Sequence, residues 1–317
     1  SSDKLYMTNK PRPNSSSRRR LVAAIDIGGT FTDIVIYDMG SGKSLVGKYL
    51  TTPHDPSIGA LAGLRALLDE FGLPFKELSK AIHATTLATN AIIERKGATT
   101  GLITTKGFVD ILLIGRESRY DIYDLVPEFP EPLVPVSMRR EITERISGTG
   151  EILQPLSPQE VKVTIQELVD KGVNSIAVCL LHSYINPEHE ETIAESIAKF
   201  FPDVSFSLSS QVCPEIREYE RTSTTVANAY IQPIVSRYLE DLEANLDDVP
   251  LYLMLSNGGI ATAQSAAKTP IRMIESGPAG GALAAAYFGA QSGFEDLIAF
   301  DMGGTTAKTC IIEKSIP

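Results

Sequence analysis

Along this chain, apolar runs of strand length alternate with amphipathic stretches of helix length, the pattern of an α/β protein. Three short runs come first, at 22–26, 33–37 and 44–49. The connections between them, GGT and GSGK, are short and glycine-rich, which predicts an antiparallel meander. Residues 56–71 then predict a helix, because Ile58, Leu61, Leu64, Leu67 and Leu68 share one face at helical spacing. Further on, 157-SPQE-160 has the form of a capping box with proline at the first helical position, and the helix it opens should end at Gly172. A β-rich run at 175–181 predicts a strand. Asn186 and Pro187 announce a helix over 188–200, with a short strand at 204–208 after it. Residues 221–245 read as a helix broken or kinked at Pro233, which has no amide hydrogen to donate. The runs 251–255 and 297–301 are buried strands, each leading straight into glycines. A proline-rich loop is expected at 127–135 and an inserted hairpin near 139–152.

Composition narrows the class. The 317 residues are 43% hydrophobic and 21% charged, ordinary for a globular protein and enough for one large lobe and part of another. The longest weakly polar run, 279–290, is too short and too rich in alanine and glycine to span a bilayer. A formal net charge of −10 repels nucleic acid and anionic lipid, so neither is an expected partner, the basic triplet at 18–20 notwithstanding. Cys179, Cys213 and Cys310 match no zinc or redox spacing, and their sparse, odd count suits a reducing cytoplasm. Residues 1–17 are polar and carry prolines and three consecutive serines, so a disordered leader over 1–20 is expected.

The chemistry sits in an internal near-repeat. Residues 26-DIGGTFTDIVIYD-38 recur in pattern as 301-DMGGTTAKTCIIE-313, each copy preceded by an apolar strand and followed by a strand-like run. Glycines in such a turn let a phosphate approach the backbone N–H groups, and threonine hydroxyls add donors. An aspartate at the strand end can hold Mg²⁺ or orient a water. The copies are neither a Walker loop nor a dinucleotide fingerprint, because they lack G-x-x-x-x-G-K-[ST] and their glycines open hairpins rather than helices. One such turn in each of two facing lobes would clamp a polyphosphate from both sides. That arrangement resembles the actin, sugar-kinase and heat-shock-chaperone ATPase superfamily. The alanine-rich stretch 275-ESGPAGGALAAAYFGA-290 lies just before the second turn and resembles its interdomain connecting helix.

A closer resemblance rests on 83-HATTLATNAIIERKGA-98, 115-GRESRYDIYDL-125, 217-REYERTSTTVANAYIQP-233, 256-SNGG-259 and 275-ESGPAGG-281. With the DIGGTFTD start, these runs are similar to the A-type subunits of hydantoinase/oxoprolinase enzymes. Ala84 and Leu87 depart from the H-G-T-T-V that the family commonly shows. The resemblance implies an α/β, actin-like (ribonuclease H-like) fold of mixed sheets with helices on both faces. It also implies ATP with Mg²⁺ or Mn²⁺, a small cyclic-amide or ketone substrate and a B-type partner subunit; homo-oligomerisation is left open. ATP-dependent cyclic-amide hydrolysis through phosphoryl activation of the substrate oxygen is the leading expectation. A ketone-carboxylase subunit and a non-catalytic, chaperone-like ATP switch are the rivals.

The roles follow from the motifs. Gly28, Gly29, Thr30 and Thr32 should hold phosphates from the first lobe, and Gly303, Gly304, Thr305 and Thr306 from the second. Asp26 and Asp301 should flank the metal and the terminal phosphate as catalytic and metal-binding groups. Gly258, Gly259, Gly277, Gly280 and Gly281 should lie near the nucleotide or the hinge. His83, Thr85, Thr86, Asn90, Arg116 and Arg119 are candidate substrate contacts. The competing reading makes Thr85 or Thr86 a helix cap, His83 a satisfied core imidazole and the arginines part of a solvated charged run. The first lobe is expected over 21–291 and the second begins at 292–317. Because the chain stops nine residues after Lys308, it is expected to be a fragment or to be completed by another polypeptide, binding ATP weakly alone.

Overall fold

The computed structural model describes residues 20–28, 30–52, 56–116, 123–126, 128–302 and 307–317. Among these the chain runs through β1 (Leu21–Ile27), β2 (Phe31–Asp38) and β3 (Lys43–Leu50) into α1 (Pro56–Glu70). There follow β4 (Leu78–Thr85), α2 (Leu87–Ile93), β5 (Thr100–Thr105) and α3 (Ile111–Ile114). The middle of the chain forms β6 (Arg139–Ile142), β7 (Arg145–Ile146), β8 (Ile152–Gln154), α4 (Pro158–Val169) and β9 (Ser175–Cys179). Next come α5 (Glu188–Phe200), β10 (Ser205–Leu208), α6 (Ser209–Val212) and the long α7 (Glu218–Ala244). The last stretch is β11 (Leu251–Met254), β12 (Ile260–Thr262), α8 (Ala263–Lys268), α9 (Ser276–Gln291), β13 (Leu297–Met302) and β14 (Ala307–Ile312). No helix among the described residues is long and apolar enough to cross a membrane.

The chain divides into two compact units. The first takes the positions up to Thr89 with Arg237–Ala267 and Arg272–Pro317; the second takes Asn90–Ser236 and Lys268–Ile271. In the first unit six strands form one sheet in the order β12-β11-β4-β1-β2-β3. The β1–β2–β3 segment is the antiparallel meander that its turns predict, whereas β4 runs parallel to β1 and β11 parallel to β4. Alternation along β1 buries Leu21, Ala23, Ile25 and Ile27 on one face, and β2 adds Ile34 and Ile36. Helix α1 packs on these strands and buries Leu61, Leu64, Leu67 and Leu68, while Ile58 stays exposed. Each such side chain contributes about 1.5–3 kcal/mol by leaving water. Strands β13 and β14 form a separate two-stranded sheet beside α9.

In the second unit β10-β9-β5-β6 form a four-stranded sheet in which every pairing is parallel. Ile103, Ile142, Val161, Ile165, Val178 and Ile197 join its core, with α4 and α5 supplying the helical side. The helix α4 starts at the Ser157 cap that the sequence predicts, Ser157 Oγ accepting from the Glu160 N–H at 3.4 Å, but the Glu160 carboxylate accepts from the Thr143 N–H at 2.9 Å rather than closing the capping box. The hairpin expected near 139–152 is rearranged: β6 joins the parallel sheet, and the antiparallel pair is made by β7 and β8. The buried Arg139 obscures β6 in an apolar pattern; its Nε and Nη2 donate to the Val134 carbonyl at 3.1 and 2.9 Å.

Helix α7 passes through Pro233 without ending. A proline there leaves the carbonyl four residues earlier, that of Ala229, without its helical donor. The Ser175 hydroxyl donates to that carbonyl at 2.7 Å, and the Ala98 N–H donates to the neighbouring Tyr230 carbonyl at 2.8 Å. The donor that Pro233 lacks is thus supplied by Ser175 of β9, and the Ala98 bond ties the same turn to the segment before β5.

Candidate functional site

The parallel strands β1, β4 and β11 bring three connections to one edge of the first unit's sheet. Past β1 comes the glycine turn, past β4 the start of α2, and past β11 the Ser256–Gly259 loop. Ligands of open α/β sheets bind beyond strand carboxyl ends, so this edge is the place to look.

The first turn is braced from within. Gly28 N–H donates to the Phe31 carbonyl at 3.0 Å, and Thr51 Oγ1 donates to the Gly28 carbonyl at 2.8 Å. With its one proton so used, Thr51 accepts from Thr32 Oγ1 at 3.0 Å. Thr32 is fully buried, so its hydroxyl holds the turn's shape from behind, unlike the expectation that it faces a phosphate. Thr30 is exposed, and its carbonyl accepts from the Thr51 N–H at 3.0 Å. Gly29, Gly303, Gly304, Thr305, Thr306 and Arg119 lie outside the described residues.

Asp26 lies on the face of β1 opposite to Ile25, directly across from Asp33 on β2. Asp33 in turn faces Lys48 on β3, whose Nζ donates to both carboxylate oxygens at 2.8 Å. Although Asp26 reaches solvent, desolvation by its surroundings pushes its carboxyl pKa up, and the charges of Asp33 and Asp301 push the same way; Lys48 opposes them. The influence of Asp301 brings the two aspartates of the near-repeat into one electrostatic neighbourhood.

The N-terminus of α9 completes the group. A Cβ built on Gly277 would lie 3.9 Å from Asp26 Oδ1, so the first turn of this 16-residue helix abuts the carboxylate. Ser276 is buried and its hydroxyl has no hydrogen-bond partner among the described residues. Glu275, immediately before the helix, is left-handed at φ 62° and pairs with Lys308 Nζ from β14. The Ser256 amide and hydroxyl both reach the Arg272 carbonyl, at 2.8 and 2.7 Å, fastening the SNGG loop to the segment that enters α9.

The glycines separate by cause. Gly258 has φ +80° and closes the loop by donating to the Leu255 carbonyl at 3.0 Å; a Cβ there would also strike Leu283 at 2.7 Å. Gly280 is required by packing, since its Cβ would meet Met254 Sδ at 2.8 Å. At Gly259 an added Cβ would lie 3.1 Å from Asn257 Oδ1. Gly281 has open space, and Gly277 meets only Asp26 at ordinary contact distance. Packing among the described residues therefore does not account for Gly277 and Gly281, and among those residues there is room beside Gly277 for a ligand approaching Asp26.

The other candidates have different surroundings. His83 is fully buried on β4: Nδ1–H donates to the Ile25 carbonyl at 3.0 Å, so Nε2 accepts from the Tyr238 hydroxyl at 2.7 Å. Desolvation lowers its pKa to about 4, only partly opposed by the Ile25 bond, which keeps the ring neutral. Thr85 Oγ1 accepts from the Leu87 N–H at 3.1 Å and caps the turn into α2. Thr86 lies at that same turn, half-buried. In the second unit, Asn90 is exposed on α2, and Arg116 pairs with Glu220 at 2.7 Å.

Asp33, Lys48, Glu275, Ser276 and Lys308 were not among the candidates that the motifs nominate. Hairpin register was the available signal for Asp33: a turn centred on GGT sets it opposite Asp26. In this group four carboxylates (Asp26, Asp33, Asp301 and Glu275) face two lysines, an excess of negative charge. No set of three metal-ligating side chains occurs among the described residues. That donor set suits a magnesium ion sharing one or two carboxylates with phosphate oxygens and water, and the orphaned Ser276 hydroxyl and the room at Gly277 fit an oxygen-rich ligand.

A mixed α/β fold with paired Asp–x–Gly–Gly–Thr hairpins is consistent with the actin-like ATPase type. Residues 22–201 match the hydantoinase/oxoprolinase N-terminal region, and 221–317 match the hydantoinase/oxoprolinase domain. The chain belongs to the hydantoinase/oxoprolinase family. It is 34% identical over 315 residues to the acetophenone carboxylase gamma subunit of Aromatoleum aromaticum, covering 92% of this chain and 42% of that protein. It is also 34% identical over 300 residues to caprolactamase subunit alpha of Pseudomonas jessenii, covering 92% and 43% respectively. The crystal structure of that ATP-dependent caprolactamase superposes with a TM-score of 0.81. Nucleotide-free acetone carboxylase superposes with a TM-score of 0.85 at 28% identity, over 94% of this chain and 44% of that one. The chain thus spans less than half the length of these relatives.

Proposed function

We propose that this chain provides the phosphate-binding face of an ATP-dependent enzyme that activates the oxygen of a small carbonyl compound by phosphoryl transfer. The observation that carries the reading is the convergence of Asp26, Asp301 and the α9 N-terminus, with an unpartnered Ser276 hydroxyl beside them. When bound, ATP with a divalent cation would supply the phosphoryl group; on an amide oxygen, the phosphate becomes a good leaving group from the carbonyl carbon once water attacks and the C–N bond opens, and on a ketone it would hold the enol form whose carbon is the nucleophile. The protein's part is positioning and charge compensation. Asp26 and Asp301 would hold the cation, the braced first turn would offer backbone N–H groups, and the positive end of α9 would face the developing negative charge. The excess of carboxylates around Asp26, which raises its pKa, is charge that a divalent cation would neutralise on binding.

The leading substrate class is a cyclic amide, as the caprolactamase likeness supports. Ketone carboxylation is the second reading, favoured by the likeness to acetophenone and acetone carboxylases. A B-type companion subunit, a second lobe starting at 292 and a cytoplasmic location complete the proposal. In a complete enzyme carrying this chain, ATP consumption should rise with lactams if the first reading holds, and with ketones plus bicarbonate if the second does. Asp301→Ala should reduce that turnover by at least about 100-fold, the order expected for losing a key electrostatic group. Near-normal turnover in the variant would remove Asp301 from the mechanism.

A further inference from the structure

Strand β14 leaves the second glycine turn, and its antiparallel register sets Lys308 opposite Asp301. Alternation puts both on the face of the hairpin that carries Leu297, which presses against α9: a Cβ on Gly289 would collide with Leu297 Cδ2. Lys308 Nζ is bound to Glu275, the residue that leads into α9 and whose side chain makes no capping bond to it. Of the two lysines in the carboxylate-rich group, Lys48 is held by both oxygens of Asp33. Among the described residues Lys308 Nζ is paired with a single carboxylate oxygen, and the pair is half-exposed, at 31% and 46% of the side-chain surface. Ion pairs of that exposure are weak and exchange easily.

We propose that Lys308 is a phosphate-contacting residue, held by Glu275 until a polyphosphate arrives, so that the Glu275–Lys308 pair is an exchangeable latch on the nucleotide site. This rests on the phosphate-site reading given above and adds to it a cation and a competitor. A phosphate group carries more charge and more acceptor oxygens than one carboxylate, so it wins the ammonium when it comes within reach. Glu275 loses little on release, because its carboxylate stays beside the positive N-terminus of α9. The exchange therefore also releases the ion pair that joins the second hairpin to the start of α9.

The test compares Lys308→Met with Glu275→Gln in the full chain, titrated to millimolar concentrations with magnesium and a fluorescent ATP analogue, and with the matching AMP analogue. Lys308→Met should weaken the triphosphate about tenfold, the loss of one charge-assisted hydrogen bond, and Lys308→Arg should restore most of it. Glu275→Gln should strengthen it about threefold by freeing the lysine. The AMP analogue should respond to neither variant by more than about twofold, having lost the phosphates that Lys308 would reach. Equal effects of the same sign from both variants would identify a merely structural ion pair and overturn the latch, as would equal responses to AMP. Circular dichroism confirms folding of each variant. If the wild-type chain shows no saturable binding of the triphosphate, the underlying site reading falls, and the latch with it.

Discussion

The two Asp–x–Gly–Gly–Thr hairpins share a sequence pattern and differ in what lies behind them. In the first, Ala23, Ile25 and Ile27 are buried between the sheet and α1. Their counterparts in the second, Ile298, Phe300 and Met302, are 67%, 65% and 72% exposed. The first hairpin sits inside a six-stranded sheet; the second is a two-stranded ribbon with α9 against its other face. In both, the aspartate lies on the face away from these apolar residues, and both aspartates belong to the charged group beside the N-terminus of α9. The local pattern therefore specifies strand, turn and the side on which the carboxylate emerges. It does not specify burial, which the rest of the fold supplies.

The largest break in this symmetry should appear on paired truncations. Ile25→Ala should cost about 3–4 kcal/mol, the usual range for emptying a core site. Phe300→Ala, at the equivalent position, should change stability by less than about 0.5 kcal/mol. Urea unfolding of both variants checks this, and comparable losses would mean that Phe300 is packed in solution.

His83 offers the next test, because it ties β1 to Tyr238 through a neutral ring. The unfolded chain's histidine takes up a proton near pH 6.5, whereas the folded one does so only near 4. Between those values the unfolded state binds more protons, so stability is full above about pH 6.5 and declines as pH falls towards 4. The decline should total about 3 kcal/mol. His83→Gln, which can still donate to the Ile25 carbonyl, should flatten that slope in denaturation curves taken at pH 7 and 4.5. An unchanged slope would place the acid sensitivity elsewhere.

The smallest effect concerns coupling between the hairpins. If Asp301 helps to hold the Asp26 pKa up, Asp301→Asn should lower it, as read by carboxyl NMR titration. Asp26→Asn should stabilise the protein at neutral pH, where the carboxylate is charged, by less than about 1 kcal/mol after solvent screening. The gain should vanish as pH drops below the Asp26 pKa and the carboxyl becomes neutral. An Asp26 titration indifferent to Asp301 would separate the two hairpins electrostatically.

The sequence was most legible where burial and period agree. The meander, α1, α4 with its Ser157 cap, and α5 all present an apolar face at the expected spacing. It was least legible where polar residues are buried. Strand β5, Thr100–Thr105, is entirely buried yet has only Leu102 and Ile103 as apolar side chains among glycine and threonines, and β6 hides behind Arg139. The competing reading of Thr85 as a cap and His83 as a core imidazole fits the structure, because β4 ends at Thr85 and passes into α2 with only Thr86 between them. Of the candidate site, Asp26 and the glycine motifs were readable from spacing alone. Glu275 and Lys308 were not, since 33 positions separate them and only the return of the chain past α9 brings them together.

The exposed row on the second hairpin also bears on how the protein behaves in bulk. In the 317-residue chain taken by itself, Ile298, Phe300 and Ile311 lie on a ribbon whose outer edges pair with nothing else among the described residues, a surface that invites edge-to-edge association between copies of this chain and that the proposed second lobe would cover. The net charge of −10 opposes such contacts at a distance, but over a range set by ionic strength. Concentrated solutions of this chain should therefore keep best at low salt and above its isoelectric point near 5.0, where mutual repulsion is strongest.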